Sequence, residues 1–424
     1  MRYKIQPEDF VVEERARLPL APQGRFAIYR VRKRCLTTLS VQARMARTLG
    51  LRRSDVVFPA LKDKKAVTVQ YAAVRGTGPA RLTHPPRFGA DTKGTKNGFV
   101  AEFLGRSPRP LTPTDILANH FTIVIRDLSV EEATHMQERV AQVGRFGLPN
   151  YFDRQRFGSL VVGGTSADHI TKRILKRDAE GALRVYLARP FVGDPGPVRR
   201  FKAFAADHWG DWDAIFDAAP RPSNFRSVLT YLRDHPTGSP EELATYHRKA
   251  LNLINRRLLS LYLVAYQSLL WNRIAGRYLT IRLDETPPHV EIAGERLPVH
   301  HELPPDLDQN FTIPLPHHRA TYAGSVRSTK SATLDDGEDP SQSLNAIAAR
   351  VLAEEELTLN ELKPRILKKA YLPKGKRGLF LFPQDVSTSP PEPDDLFPKR
   401  NKLRLAFALP RGSYATLVLK ALLL

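Results

Sequence analysis

The chain has 424 residues, 42% of them hydrophobic, and its 65 lysines and arginines outweigh 44 acids to give +21 and a pI near 10.1. That length suits two domains, because single cores stop growing at about 250–300 residues. The charge draws in polyanions, nucleic acid before acidic membrane. A single cysteine, Cys35, leaves no internal disulfide and no cysteine-based zinc site, and it reads as a small buried filler. Met1 to Phe10 is charged and lacks an apolar core, so no signal peptide is expected. No run approaches the roughly 20 apolar residues that cross a bilayer. A cytoplasmic protein without a membrane partner is expected.

In chain order, Ile5-Gln-Pro-Glu-Asp-Phe-Val-Val-Glu-Glu14 reads as extended, with Phe10 facing either a core or a ligand. Arg25 to Arg34 reads as a strand with Ala27, Tyr29 and Val31 on one face and Arg30 and Arg32 on the other. Helical spacing follows over Ser40 to Leu49, with Val41, Met45 and Leu49 in one stripe and Ser40 as the cap. The next stretch, Pro59-Ala-Leu-Lys-Asp-Lys-Lys-Ala-Val-Thr-Val-Gln-Tyr71, sets Asp63 among Lys62, Lys64 and Lys65 just before a β-branched strand over Val67 to Val74. Asp63 is either one charge of a solvated turn or a carboxylate held ionised by cations where a substrate could meet it.

Residues 76–114 look like a Gly/Pro/Lys-rich loop without useful periodicity. A strand at Phe121 to Ile125 and a helix over Val130 to Phe146 come next. The segment Gly147-Leu-Pro-Asn-Tyr-Phe-Asp-Arg-Gln-Arg-Phe-Gly158 interleaves aromatics with arginines, Arg156 among them, which suits splayed bases and phosphates or a packed aromatic corner. From about 178 to 381 the character changes. Glu241 to Leu283 is mostly helical, and acidic clusters appear at Asp335-Asp-Gly-Glu-Asp339 and Glu354-Glu-Glu356. Strands are expected again at Leu379 to Phe382, Leu403 to Leu409 and Tyr414 to Leu419. The pattern implies an α+β protein in which one sheet domain is split by an inserted domain.

No Walker-type phosphate loop occurs, and Gly76-Thr-Gly78 lacks the third glycine of a dinucleotide fingerprint. His300-His301 and His317-His318 lack the H-E-x-x-H spacing of a zinc hydrolase and read as solvated loops. What survives is cofactor-free chemistry, with one carboxylate in a cationic, base-stacking site.

Four segments in this order resemble the TruD family of tRNA pseudouridine synthases: Gln6 to Glu13, Lys62 to Gln70, Pro149 to Gly158 and Leu409 to Thr416. Ala265 to Asn272 and Gly378 to Pro383 are more loosely similar. The resemblance implies a pseudouridine-synthase catalytic domain on a mixed or antiparallel sheet (1–177 and 382–424), interrupted by an inserted α/β TRUD domain (178–381). It places the catalytic aspartate on Asp63, and substrate-site residues on Phe10, Asn150 and the aromatic Tyr414. Tyr414 stands where some members have Phe, and Asp153 and Arg154 depart from the common pattern of their loop. The implied substrate is uridine 13 in the D arm of tRNA, with no cofactor, no metal and no protein partner.

That isomerisation breaks the C1′–N1 bond and rejoins uracil through C5 without redox change or added water. It needs one ionised carboxylate, as nucleophile or as base, and a uridine flipped from its stack. Phe10, Phe152 and Tyr414 are the available stacking faces. Asn150 carries the donor and acceptor to read a uracil edge, and Lys62, Lys64, Arg32 and Arg156 are candidate RNA contacts. A tRNA-binding or chaperone protein without catalysis would keep the same basic surface, but would not need Asp63 among phosphates. A nucleoside hydrolase would want further acids.

Overall fold

The computed structural model describes residues 1–76, 78–85, 97–235, 240–283, 286–303, 307–322 and 343–424. The acidic run Asp335–Asp339, the prolines Pro304 and Pro305, and Thr77 of the Gly76-Thr-Gly78 sequence lie outside these residues. The chain divides into one unit of Met1–Leu148 with Leu381–Leu424 and a second of Pro149–Phe380. Residues 149–177 thus group with the second unit, whereas the sequence reading joined them to the first.

The first unit contains β1 (Phe10–Ala16), β2 (Phe26–Arg34), α1 (Thr38–Thr48), β3 (Val56–Val57), β4 (Val67–Arg75), β5 (Arg81–His84), β6 (Gly98–Ser107), β7 (Ile116–Leu128) and α2 (Val130–Phe146). With Gln384–Thr388, Glu392–Pro393 and Asn401–Pro410 the strands form one ten-stranded sheet. The order from one edge is Gln384–Thr388, Asn401–Pro410, β7, β1, β4, β2, β6, β5, with β3 paired to β4 and Glu392–Pro393 to Asn401–Pro410. Among the described strands of this sheet, only β1 and β4 run parallel.

Helix α1 begins earlier than its apolar stripe suggests. Thr37, not Ser40, is the cap, and its side chain accepts from the Ser40 amide. Val41 and Met45 then pack on Ala27, Tyr29, Val31, Ala72 and Val74 of the sheet. Helix α2 carries a reciprocal Ser129–Glu132 capping box and ends at Gly147 with φ +69. A Cβ at Gly147 would lie 2.8 Å from the Leu381 carbonyl oxygen, so only glycine fits that turn.

Two expectations fail here. Residues 76–114 contain β5 and β6, whose inward positions Phe99 and Ala101 alternate within a stretch that composition marks as loop. Tyr414 to Leu419 is not a strand: the chain turns at Gly412 (φ +88) and forms the helix Ala415–Ala421. A short apolar run such as Leu417-Val-Leu419 fits either period, and here burial of Leu417, Val418, Leu419 and Ala421 selects the helix.

The second unit is mainly helical. Its centre is the 27-residue helix Arg256–Arg282, which buries Tyr262, Tyr266, Leu269, Leu270, Trp271 and Ile274. Gly276 lets the strand Glu295–Pro298 approach it, since a Cβ there would meet Leu297 at 2.8 Å. Among the described residues, no helix is long and apolar enough to cross a membrane.

Candidate active site

The parallel pairing of β1 and β4 decides which segments meet. Parallel strands present their N-terminal ends at the same end of a sheet. The turn before β1 and the loop before β4 therefore come together, with Val11 opposite Val67. The antiparallel β2 adds its C-terminal residues at that end, where Lys33 pairs with Thr68 and Arg34 with Val67. Residues 4–10, 33–34 and 62–66 form one cluster although nothing in their spacing announces it.

The turn Pro7–Asp9 is anchored acid by acid. Asp9, 1% exposed, takes the Gln6 amide at 2.9 Å and an ion pair from Arg126 on β7, while Glu8 pairs with Arg34. The Arg34 hydrogen bond outweighs burial and holds the Glu8 carboxyl below its usual range. Lys4, just upstream, adopts φ +58, a conformation uncommon away from glycine. That turn sets its ammonium 2.7 Å from Asp63 Oδ2 and 3.7 Å from the centre of the Phe10 ring.

Asp63 lies on a loop tied down from beneath. Lys33 Nζ donates to the Asp63 carbonyl oxygen at 2.7 Å, and Thr38 Oγ1 accepts from the Lys62 amide at 3.0 Å. The Lys62 ammonium turns inward to Glu14 at 2.8 Å and Asn119 at 2.6 Å. The Asp63 side chain keeps 34% of its surface, and its Oδ1 has no hydrogen-bond partner among the described residues. It is a fixed, singly paired carboxylate open to solvent. Burial pulls the Lys33 ammonium down to about 8 even though Asp63 favours its charge.

The lysines therefore divide differently from the sequence reading. Lys62 is spent on Glu14 inside the unit, which removes it from the RNA-contact candidates, and Lys64 and Lys65 are exposed. The cations on Asp63 are Lys4 and Lys33. Alternation could have revealed the second: Ala27, Tyr29, Val31 and Lys33 share the inward face of β2, as Phe10, Val12 and Glu14 share that of β1. Lys4 carried no such signal. Arg32 is exposed on the other face of β2.

Of the expected stacking faces, Phe10 and Phe152 are buried and Tyr414 is half-buried. Phe10 is 2% exposed, edge-on to Phe121 with its face under Lys4, because the strand alternation turns it inward with Val12. Tyr414, half-buried, is the residue before the helix Ala415–Ala421. Cys35 is half-buried rather than buried and adopts φ +53 in the turn after β2.

In the second unit, Phe152 is 6% exposed, edge-on to Trp271 with the Arg377 guanidinium 4.1 Å from its centre and Arg156 at 5.5 Å. Asn272 clamps its backbone, accepting from Phe152 N and donating to Phe152 O, both at 2.8 Å. Asn150 uses both ends of its amide: Nδ2 donates to the Gly378 carbonyl, and Oδ1 accepts from Arg377. Of the two readings of Pro149–Gly158, the packed aromatic corner is the one these contacts describe. The acid cluster at 354–356 holds a second surprise. Glu355 is 2% exposed and receives Arg273, Ser166 and Tyr266, with Lys172 at 3.5 Å. Burial opposes its charge, yet those donors hold its carboxyl below the usual range.

Comparison with known proteins agrees with this architecture. The family model "TruD: tRNA pseudouridine synthase D (TruD)" matches residues 1–422. "Probable tRNA pseudouridine synthase D 2" of Methanocaldococcus jannaschii is 27% identical over 99% of this chain and 91% of its own length. "tRNA pseudouridine synthase D" of Aquifex aeolicus is 25% identical over 100% and 98%. A solved structure from Methanosarcina mazei, carried under the name TruD, superposes with a TM-score of 0.67 at 22% identity, covering 99% of this chain and 93% of that one, and shares the fold. The chain belongs to the TruD family of tRNA pseudouridine synthases, which are isomerases.

Proposed function

We propose that this protein converts uridine 13 of the tRNA D arm to pseudouridine, with Asp63 as its catalytic carboxylate. The observation that carries the reading is the state of Asp63: fixed through its backbone by Lys33, paired on Oδ2 by Lys4, and open at Oδ1. A carboxylate so held is fixed in place without being enclosed, which suits attack on C1′ or proton removal from the sugar. In either route the N1–C1′ bond breaks, C5–C1′ forms, and the C5 proton is lost as N1 gains one. Lys4 orients the carboxylate, and Phe10 steadies Lys4 from below. Exposed Lys64 and Arg32 serve as phosphate contacts, and the second unit, with Arg156 on its aromatic corner, selects the RNA.

The test is pseudouridine mapping of tRNA incubated with the wild type and Asp63→Asn. The wild type should modify position 13. The variant should bind tRNA within about twofold of wild type while losing at least the 10²–10⁴-fold typical of such a group. Modification at another position would reject the assignment of uridine 13, and an active Asp63→Asn protein would reject the assignment of Asp63.

A further inference from the structure

A cavity of about 260 Å³ lies wholly within the second unit, between the helix Gly196–Asp207, the turn 220–225 and the long helix Arg256–Arg282. Its inner wall is buried: Tyr186 at 1%, Lys202 at 1%, Tyr262 at 7% and Phe225 at 8% exposure. The mouth is exposed at Pro195, Pro222 and Asn224, with Val198 half-buried beside it.

Three features distinguish this cavity from a packing defect. Its wall is aromatic, with Tyr186 5.2 Å from Phe225 and 6.3 Å from Tyr262 between ring centres. One of its hydroxyls, Ser223 Oγ, is buried with no hydrogen-bond partner among the described residues, and Tyr262, 7% exposed, adds a second hydroxyl to the lining. Buried hydroxyls are ordinarily satisfied, so the cavity presents an unused donor and acceptor to whatever fills it. The charge in the wall is balanced, because Lys202 Nζ lies 2.8 Å from Asp194 Oδ2 and 3.4 Å from the centre of the Phe191 ring. A neutralised wall does not select a free anion.

The rim is different. Arg199 and Arg200 follow Val198 on its helix, and Arg221 stands between Pro220 and Pro222, all three exposed. A neutral aromatic interior under a cationic rim fits a planar base carried on a phosphate backbone. A volume of 260 Å³ accommodates one such ring with part of its sugar. We infer that this cavity takes one splayed nucleobase of the RNA substrate, with Tyr262 and Ser223 reading its edge and the rim arginines holding flanking phosphates. This rests on the reading of tRNA as the substrate and adds a second point of RNA recognition in the unit that lacks Asp63. Burial also brings the Lys202 ammonium down to about 8 against its pairing with Asp194, consistent with a dry wall.

Val198→Trp, at the half-buried mouth, should block entry. Expected is about a tenfold rise in the Kd for tRNA, the scale of one lost base stack, with the single-turnover rate at saturating tRNA unchanged. Tyr262→Phe and Ser223→Ala should each raise Kd by a smaller factor while melting near wild type, which keeps the test valid if Val198→Trp folds poorly. All folded variants binding tRNA within about twofold of wild type would mean that the cavity holds water only, and would overturn the proposal. Uridine and adenosine titrated alone form the second arm. Saturable nucleoside binding that Val198→Trp abolishes without changing tRNA affinity would overturn the assignment to RNA in favour of a free metabolite. Repeating the tRNA titration in Asp63→Asn separates the two claims, since the pocket should bind whether or not that carboxylate is catalytic.

Discussion

Two acids in this protein are surrounded by cations, Asp63 in the first unit and Glu355 in the second, and they end in opposite chemical states. Glu355 is 2% exposed and saturated by Arg273, Ser166, Tyr266 and Lys172. Each oxygen is occupied, so the carboxylate can do nothing but hold helices together. Asp63 has one ammonium on one oxygen, a second lysine on its backbone, and a third of its side chain in solvent. A charged neighbourhood is common to structural and reactive acids. Residual capacity is what separates them: an acid with unsatisfied lone pairs and access can meet a substrate, and one without cannot.

Exchanging each acid tests that contrast most severely. Asp63→Asn should abolish pseudouridine formation and move the melting temperature by no more than about 2 °C, since an exposed pair contributes little stability. Glu355→Ala should do the reverse, costing about 3–5 kcal/mol by leaving Arg273 and Lys172 short of a counter-charge in the interior. Its turnover per folded molecule should match wild type. Chemical denaturation together with single-turnover assays reads both, and a catalytic defect in folded Glu355→Ala would erase the distinction.

Phe10 comes next. As a ring on a ligand face, its loss would have spared the fold; at 2% exposure against Phe121 it belongs to the core. Phe10→Ala should lose about 3–5 kcal/mol, and Phe10→Leu should recover most of that. A normal melting temperature for Phe10→Ala would restore the stacking role.

Lys4→Met removes the ammonium that orients Asp63 Oδ2, and turnover should fall about tenfold to a hundredfold while stability changes little. Lys4→Arg, which keeps the charge, should recover part of the loss. Unchanged turnover in Lys4→Met would make the Lys4–Asp63 contact incidental.

The last effect is a pH dependence. Lys33 holds its proton to about 8 when folded and to its ordinary 10.5 when unfolded. Between those values the unfolded chain binds more protons, so the Lys33 contribution to stability rises with pH from about 8 to about 10.5. Below pH 8 the cost of the buried charge is constant. The stability of wild type relative to Lys33→Met should therefore climb by roughly 2–3 kcal/mol across that window. A flat difference would mean that Lys33 is solvated.

Local chemistry alone determined a good deal of this protein. Local patterns located β2, β4 and, as Leu403 to Leu409, the strand Asn401–Pro410, and helical spacing gave α2 its limits. The +21 charge and the four ordered motifs pointed to RNA and to the TruD family. Partners were a different matter. Asp63 was legible as a candidate, but its cations were assigned to neighbours in sequence when they come from residues 59 and 30 positions away. Side chains adjacent in a strand or tight loop point apart, and the parallel pairing of β1 with β4 is a long-range choice that no local pattern encodes. Burial was equally hidden. Phe10, Asn150 and Phe152 carry groups suited to a base, yet packing had already claimed them, because an aromatic or amide group serves a core or a ligand with the same atoms. Residue type sets what a side chain can do, and only the tertiary structure decides which of its atoms remain free to do it.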